Sequence, residues 1–238
     1  MNARRQAPAG EPFRGFSPQA LEFLTGLQAN NDTAWFEAHR ADYDRFVLGP
    51  MRALAAEFGE WFEAEVDAGL DTRPVVGGAI GRLRRDTRFS SDKRPYKQSV
   101  WLVFRNRNTV MGNLGFYWDL SPSRYCYGMG FYSAPPRVLR SIRERALDNP
   151  DRFRAAVAGL LEAAPPLGTG SPFGIEGEPY RRSSMPGAPE DLARWLDRKN
   201  LYVEASRPHD AALASRDLVA LLWDAWERLV PLYWFLRG

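Results

Sequence analysis

Apolar residues in the first third of the chain recur every three or four positions, the spacing that lines one face of an α-helix. Ser17 and Pro18 read as an N-cap and a first helical position, and Leu21, Phe23, Leu24 and Leu27 form the stripe that follows. Asn30, Asn31 and Asp32 interrupt the pattern and cap a second helix, in which Trp35, Phe36, His39, Tyr43, Phe46 and Val47 recur until Gly49-Pro50. Pro50 opens a third, with Met51, Leu54, Ala55, Phe58, Trp61, Phe62 and Val66 inward and Gly69 at its end. The spacing predicts a helical layer with an aromatic underside.

Beyond Pro74 the period shortens to two and predicts antiparallel strands near 78–85, 99–105, 113–120 and 124–132. Leu114, Phe116, Trp118 and Leu120 share one face of the third, and Tyr125, Tyr127, Met129 and Phe131 one face of the fourth; Ser121-Pro122-Ser123 joins them as a hairpin loop. Gly128 and Gly130 leave the other face of the last strand bare, which calls for close approach of backbone, helix or ligand, packing being the commoner cause. Pro135-Pro136 opens a helix through about Leu147, and Asn149-Pro150 another through about Ala163. A loop rich in proline and glycine then spans 165–189, either functional or hiding a short hairpin around 174–182. A short helix near Trp195, a strand at 201–205 and a long aromatic helix from about Ser215, bent at Pro231, complete the chain. The fold class expected is α+β, an antiparallel sheet of about four to five strands packed by N-terminal and C-terminal helices. It forms a single domain from 13 to 238 behind a disordered lead-in at 1–12.

Apolar residues fill 45% of the 238 positions and aromatic ones 13%, enough to pack such a core without a cofactor. The one cysteine, Cys126, rules out an internal disulfide framework and a cysteine zinc cluster, and fits a reducing, cytoplasmic location. The N-terminal stretch has no apolar core of signal-peptide length. The most apolar window, Leu218 to Leu236, carries Asp224, Glu227 and Arg228, each expensive in hydrocarbon, so no membrane span is expected, and no membrane partner with it. With two histidines and no metal-ligand spacing, no zinc site is expected either.

Charge is concentrated in one place. Residues 82–97 hold seven basic and two acidic side chains, +5 within a chain of +3, so the rest of the chain carries −2. A local surplus calls for a local reason. The segment leaves a strand pattern and becomes loop-forming at Ser90-Ser91-Asp92-Lys93-Arg94-Pro95. Arg85, Arg88, Ser90, Lys93, Tyr96 and Lys97 supply the guanidinium forks, point charges and hydroxyls that hold a phosphate or carboxylate, with Asp86 and Asp92 orienting the cations. Cationic neighbours should lower both aspartates and make them poor bases. The plainer alternative is that the aspartates only lash the loop to the sheet. No Walker loop is present.

The string Arg85-Asp86-Thr87-Arg88-Phe89-Ser90-Ser91-Asp92-Lys93-Arg94-Pro95-Tyr96-Lys97 resembles the hallmark of a conserved hypothetical family of bacteria and fungi, domain of unknown function 2461. Gly15-Phe16-Ser17, Leu21-Glu22-Phe23-Leu24, Asn30-Asn31-Asp32, Trp35-Phe36, Gly115 through Pro122 and Pro231-Leu232 are similar too, so the resemblance runs from about Phe13 onward. It implies a soluble single domain and carries no activity, substrate or catalytic residues.

Outside the segment, His39 on an apolar helix face reads as a core histidine, His209 as a cap, Cys126 as a buried strand residue, and Ser183-Ser184 beside Arg181-Arg182 as loop contacts or, less readily, a phosphosite. Tyr117 and Asp119 lie opposite Phe116 and Trp118 and so face solvent or a cleft shared with the basic loop if helices cover the aromatic face. Tyr96 and Asp119 are the candidate proton carriers. The leading expectation is a protein that binds a phosphorylated or other anionic small molecule at the basic loop, with turnover open. The alternatives are a nucleic-acid-binding module, in which the same loop tracks phosphates and Tyr96 or Trp101 stacks on bases, and a non-catalytic interaction protein.

Overall fold

The computed structural model describes residues 11–106, 113–131, 133–162 and 172–238. In chain order the elements are α1 (Pro18–Ala29), α2 (Thr33–Ala38), α3 (Arg40–Asp42), α4 (Gly49–Trp61), β1 (Val100–Arg105), β2 (Leu114–Leu120), β3 (Arg124–Phe131), α5 (Pro136–Asp148), α6 (Pro150–Val157), β4 (Gly174–Glu176), α7 (Glu190–Leu196), β5 (Leu201–Pro208) and α8 (Asp217–Arg237). The five strands pair antiparallel in the order β1-β2-β3-β5-β4, an α+β fold with helices at both ends of the chain.

The expected helix caps are met in part. Asp32 accepts the Trp35 amide at 2.9 Å and Asn149 accepts that of Arg152 at 3.3 Å. Ser17 precedes α1 without making a cap bond. The break expected at Gly49-Pro50 falls instead at His39, and a π-helical turn at Tyr43–Leu48 leads straight into α4. Pro50 has no amide to donate, and Gly49 donates five residues back to Asp44, so the wider turn absorbs the proline without ending the helix. A second π-helical segment, Phe62–Val66, extends α4. Helix α6 stops at Val157, short of the expected Ala163, which lies outside the described residues; Gly159 there has φ +70°, a turn conformation that glycine adopts freely.

Strands β1, β2 and β3 match the expected stretches closely. The strand expected at 78–85 does not form as one strand. Residues 79–81 pair with the edge of β1, with Val103 donating to Ala79 at 2.8 Å and Gly81 to Trp101 at 2.9 Å. The chain then turns, and Arg85 and Lys97 donate to Pro95 and Leu83 at 2.8 and 2.9 Å. The basic segment is therefore a hairpin in its own right. Similarly, the hairpin expected at 174–182 resolves into β4 pairing with β5.

Helices α4 and α8 cover one face of the sheet. Phe62 packs on Phe104 and Phe116 at 4.5 and 5.0 Å, Trp226 on Phe104 at 5.6 Å, and Tyr233 on Phe116 at 5.1 Å. Phe16 stacks on Trp118 at 5.1 Å. Burying these rings, each worth about 1.5–3 kcal/mol, makes this layer the main source of stability. Among the described residues no helix is long and apolar enough to cross a membrane.

Candidate functional site

The opposite face of the sheet is polar and half-exposed. Strand register sets Trp101, Asp119, Cys126 and Ser206 side by side in one row, and Val103, Tyr117, Gly128 and Glu204 in the next. The two glycines expected to leave a bare surface are covered from neighbouring strands. A Cβ at Gly128 would lie 1.9 Å from the Val203 carbonyl and 2.8 Å from the Tyr117 hydroxyl, and one at Gly130 would lie 2.4 Å from the Tyr202 Cα. The bare positions therefore serve packing, the commoner cause.

The row is held by hydroxyl-to-carboxylate bonds. Ser99 Oγ donates to Asp119 at 2.7 Å, and the Tyr117 hydroxyl donates to Glu204 at 3.0 Å. Burial raises Asp119 above the usual carboxylate range; the Ser99 bond opposes that rise and the charge of Glu204 adds to it. Burial and Glu204 likewise push the Tyr117 phenol and the Cys126 thiol well up, so neither ionises readily.

The basic hairpin meets this face at its base. Asn31 fixes it from the α1–α2 junction, donating to the Tyr96 carbonyl and accepting the Tyr96 amide, both at 3.0 Å. Lys97 follows directly and places its ammonium 3.5 Å from the centre of the Trp101 ring, next to Asp119 in the register. Among the described residues that ammonium has no hydrogen-bond acceptor. Burial and the charge of Arg85 lower Lys97 below the ordinary lysine value, while Asp119 acts the other way.

The remaining candidates divide. Arg88 grips Asp86 at 2.7 and 2.9 Å with both groups in solvent, and Asp92 takes Arg85 at 2.6 Å and Arg94 at 2.7 Å. The two aspartates are held below the carboxylate range, Asp86 by Arg88 and Asp92 by Arg94 first and Arg85 next. Lys93 donates to the Thr87 carbonyl at 3.0 Å, and Ser90 accepts the Asp92 amide at 3.2 Å. The same Asp-x-Arg clasp recurs at Asp71 and Arg73, so it is a local device for stiffening a turn. Tyr96 is 4% exposed and stacks on Phe36 at 4.5 Å, a wall of the hairpin base. The structure thus gathers Lys97 and Asp119, with Arg85 close enough to bias Lys97, and leaves Arg88, Lys93 and Arg94 at the tip.

Glu204, Ser99 and Tyr202 did not stand out in the sequence. Glu204 was visible only as a charge within an alternating strand, and its place beside Tyr117 depends on β5 pairing with β3, a contact between residues about eighty apart. Elsewhere, His39 is half-buried with Nδ1 2.8 Å from the Trp35 carbonyl, His209 Nε2 lies 3.0 Å from the Ser121 carbonyl in the β2–β3 hairpin rather than at a helix cap, and Ser184 donates to Asp197. A cleft of about 600 Å³ between α5 and residues 180–189 is lined by Arg140, Leu147, Tyr180 and Met185, with none of the hairpin's residues. No group of three or more potential ligands for a metal ion occurs among the described residues.

No curated protein matches the chain. The family described as Conserved hypothetical protein (DUF2461) matches residues 19–235, and the chain belongs to that family.

Proposed function

We propose that the protein binds a small anionic molecule, phosphorylated or carboxylated, where the base of the basic hairpin meets the polar face of the sheet. The observation that carries this reading is Lys97, whose ammonium rests on Trp101 without a hydrogen-bond acceptor among the described residues. A partly desolvated cation gains about 1.5–3 kcal/mol from a charge-assisted bond to a ligand. Arg88, already satisfied by Asp86 in open solvent, gains little. The centre of binding therefore shifts from the tip of the segment to its base.

Asp119 is the group on this face suited to exchange a proton with such a ligand, since burial raises it above the ordinary carboxylate range while Asp86 and Asp92 are held down. Tyr96 serves as packing. A cytoplasmic setting accords with one buried, inert thiol.

Thermal melting with phosphate, nucleotides, sugar phosphates and small carboxylates tests the proposal. At least one should raise Tm of the wild type and of Arg88→Ala but not of Lys97→Met. Equal stabilisation of Lys97→Met, or none in the wild type, would refute it.

A further inference from the structure

We propose that the tip of the basic hairpin docks on an anionic lipid surface, independently of the site at its base. Phe89 is 94% exposed, twice the value of any other large apolar residue described as exposed, the next being Val75 and Leu147 at 45%. An isolated apolar residue on a surface usually needs no explanation, but this ring lies at the apex of a charged hairpin. The Arg88 guanidinium is 5.8 Å from it, Lys93 and Arg94 are exposed on the same tip, and Arg82 and Arg84 are exposed further down, toward the base. The support beneath is firm. The Asp86 and Asp92 clasps, the hairpin bonds at Arg85 and Lys97 and the Lys93 bond to Thr87 hold the turn that presents the ring.

With both clasps closed, seven basic against two acidic residues still leave the hairpin positive, which makes an anionic partner the match, and the shape selects among anionic partners. A nucleic-acid strand is bound by a groove that follows its backbone, lined by several rings for successive bases. Here one ring projects outward, and no second exposed aromatic residue occurs on the described part of the hairpin. A bilayer interface needs no groove, because lipids close around a wedge while flanking cations stay at the level of the phosphates. Contact of this kind is peripheral and reversible, and it revises the sequence-based expectation of no membrane partner.

The test is sedimentation of the full chain with vesicles of phosphatidylcholine alone and of phosphatidylcholine with phosphatidylserine. The protein should partition only onto the vesicles with phosphatidylserine, and added salt should release it. Phe89→Ser, which removes a fully exposed ring and should leave Tm unchanged, should lower partitioning roughly tenfold or more. Lys97→Met should partition as the wild type does. Undiminished binding of Phe89→Ser, equal binding to neutral vesicles, or retention on single-stranded oligonucleotides with none on vesicles would overturn the proposal.

Discussion

Arg216 holds both oxygens of Glu57, at 2.6 and 2.8 Å, and Glu57 also accepts the Phe13 amide at 2.9 Å. The Glu57 side chain is 3% exposed and that of Arg216 is 50% exposed, so the partners are unequal. Removing Arg216 strands a buried carboxylate, whereas removing Glu57 leaves a cation that water can reach. Chemical denaturation should show Arg216→Met losing about 3–5 kcal/mol and Glu57→Gln about 1–2 kcal/mol. Asp119 gives a second prediction, with a pH signature. Its folded value lies above the ordinary 3.8, so the folded protein holds this proton more tightly. That contribution is complete below 3.8 and is lost as pH rises through the folded value. Asp119→Asn should therefore gain stability relative to wild type as pH rises above about 4, and a melting series from pH 3 to 8 would show this. Equal differences at all pH values would mean that Asp119 titrates normally. The parity of Asp119 against Trp118 was legible in the sequence, because alternation fixes which side chains share a face. Its partner Ser99 was not, since that bond spans a hairpin whose register the sequence leaves open.

Helix α8 shows how one carboxylate can hold the end of an element. Asp67, just beyond the second π-helical segment, accepts the Tyr233 hydroxyl at 2.6 Å and lies 2.7 Å from Arg237 Nε. Burial alone would raise Asp67, but Tyr233, the Gly69 amide and Arg237 outweigh it and hold the group below 3.8. This stabilisation is present above that pH and fades as pH falls through the lower folded value. Asp67→Asn should cost about 1–3 kcal/mol at pH 7 and markedly less near pH 3, with amide exchange at the end of α8 reporting the fraying. In the sheet, Gly128→Ala would drive a methyl into the Val203 carbonyl and Tyr117, so it should destabilise by about 1–3 kcal/mol. Period and punctuation placed α1, α5, α8 and strands β1 to β3 because each element carries its own signal. They misplaced the break near Gly49-Pro50, where a π-helical turn absorbs the proline, and the strand at 78–85, whose residues divide between two partners. The β5–β4 edge depends on long-range pairing, which local pattern does not encode.

Taken whole, the molecule is a sheet with an aromatic, helix-covered face and a polar, half-exposed one, with a cationic hairpin standing at the edge of β1. The charge surplus that marks the segment in the sequence is divided in space. Clasped arginines stiffen the tip, and Lys97 at the base joins the row of Asp119. Composition revealed the surplus but not this division, which follows from Asn31 and Tyr96 anchoring the base and from the two Asp-x-Arg clasps above it. The most direct measurement is a crystal structure with a stabilising anion bound. Density for that anion is expected within hydrogen-bonding distance of Lys97 Nζ, on the face that carries Asp119 and Trp101. Density held by Arg88 or Arg94 at the tip, with Lys97 untouched, would contradict this placement.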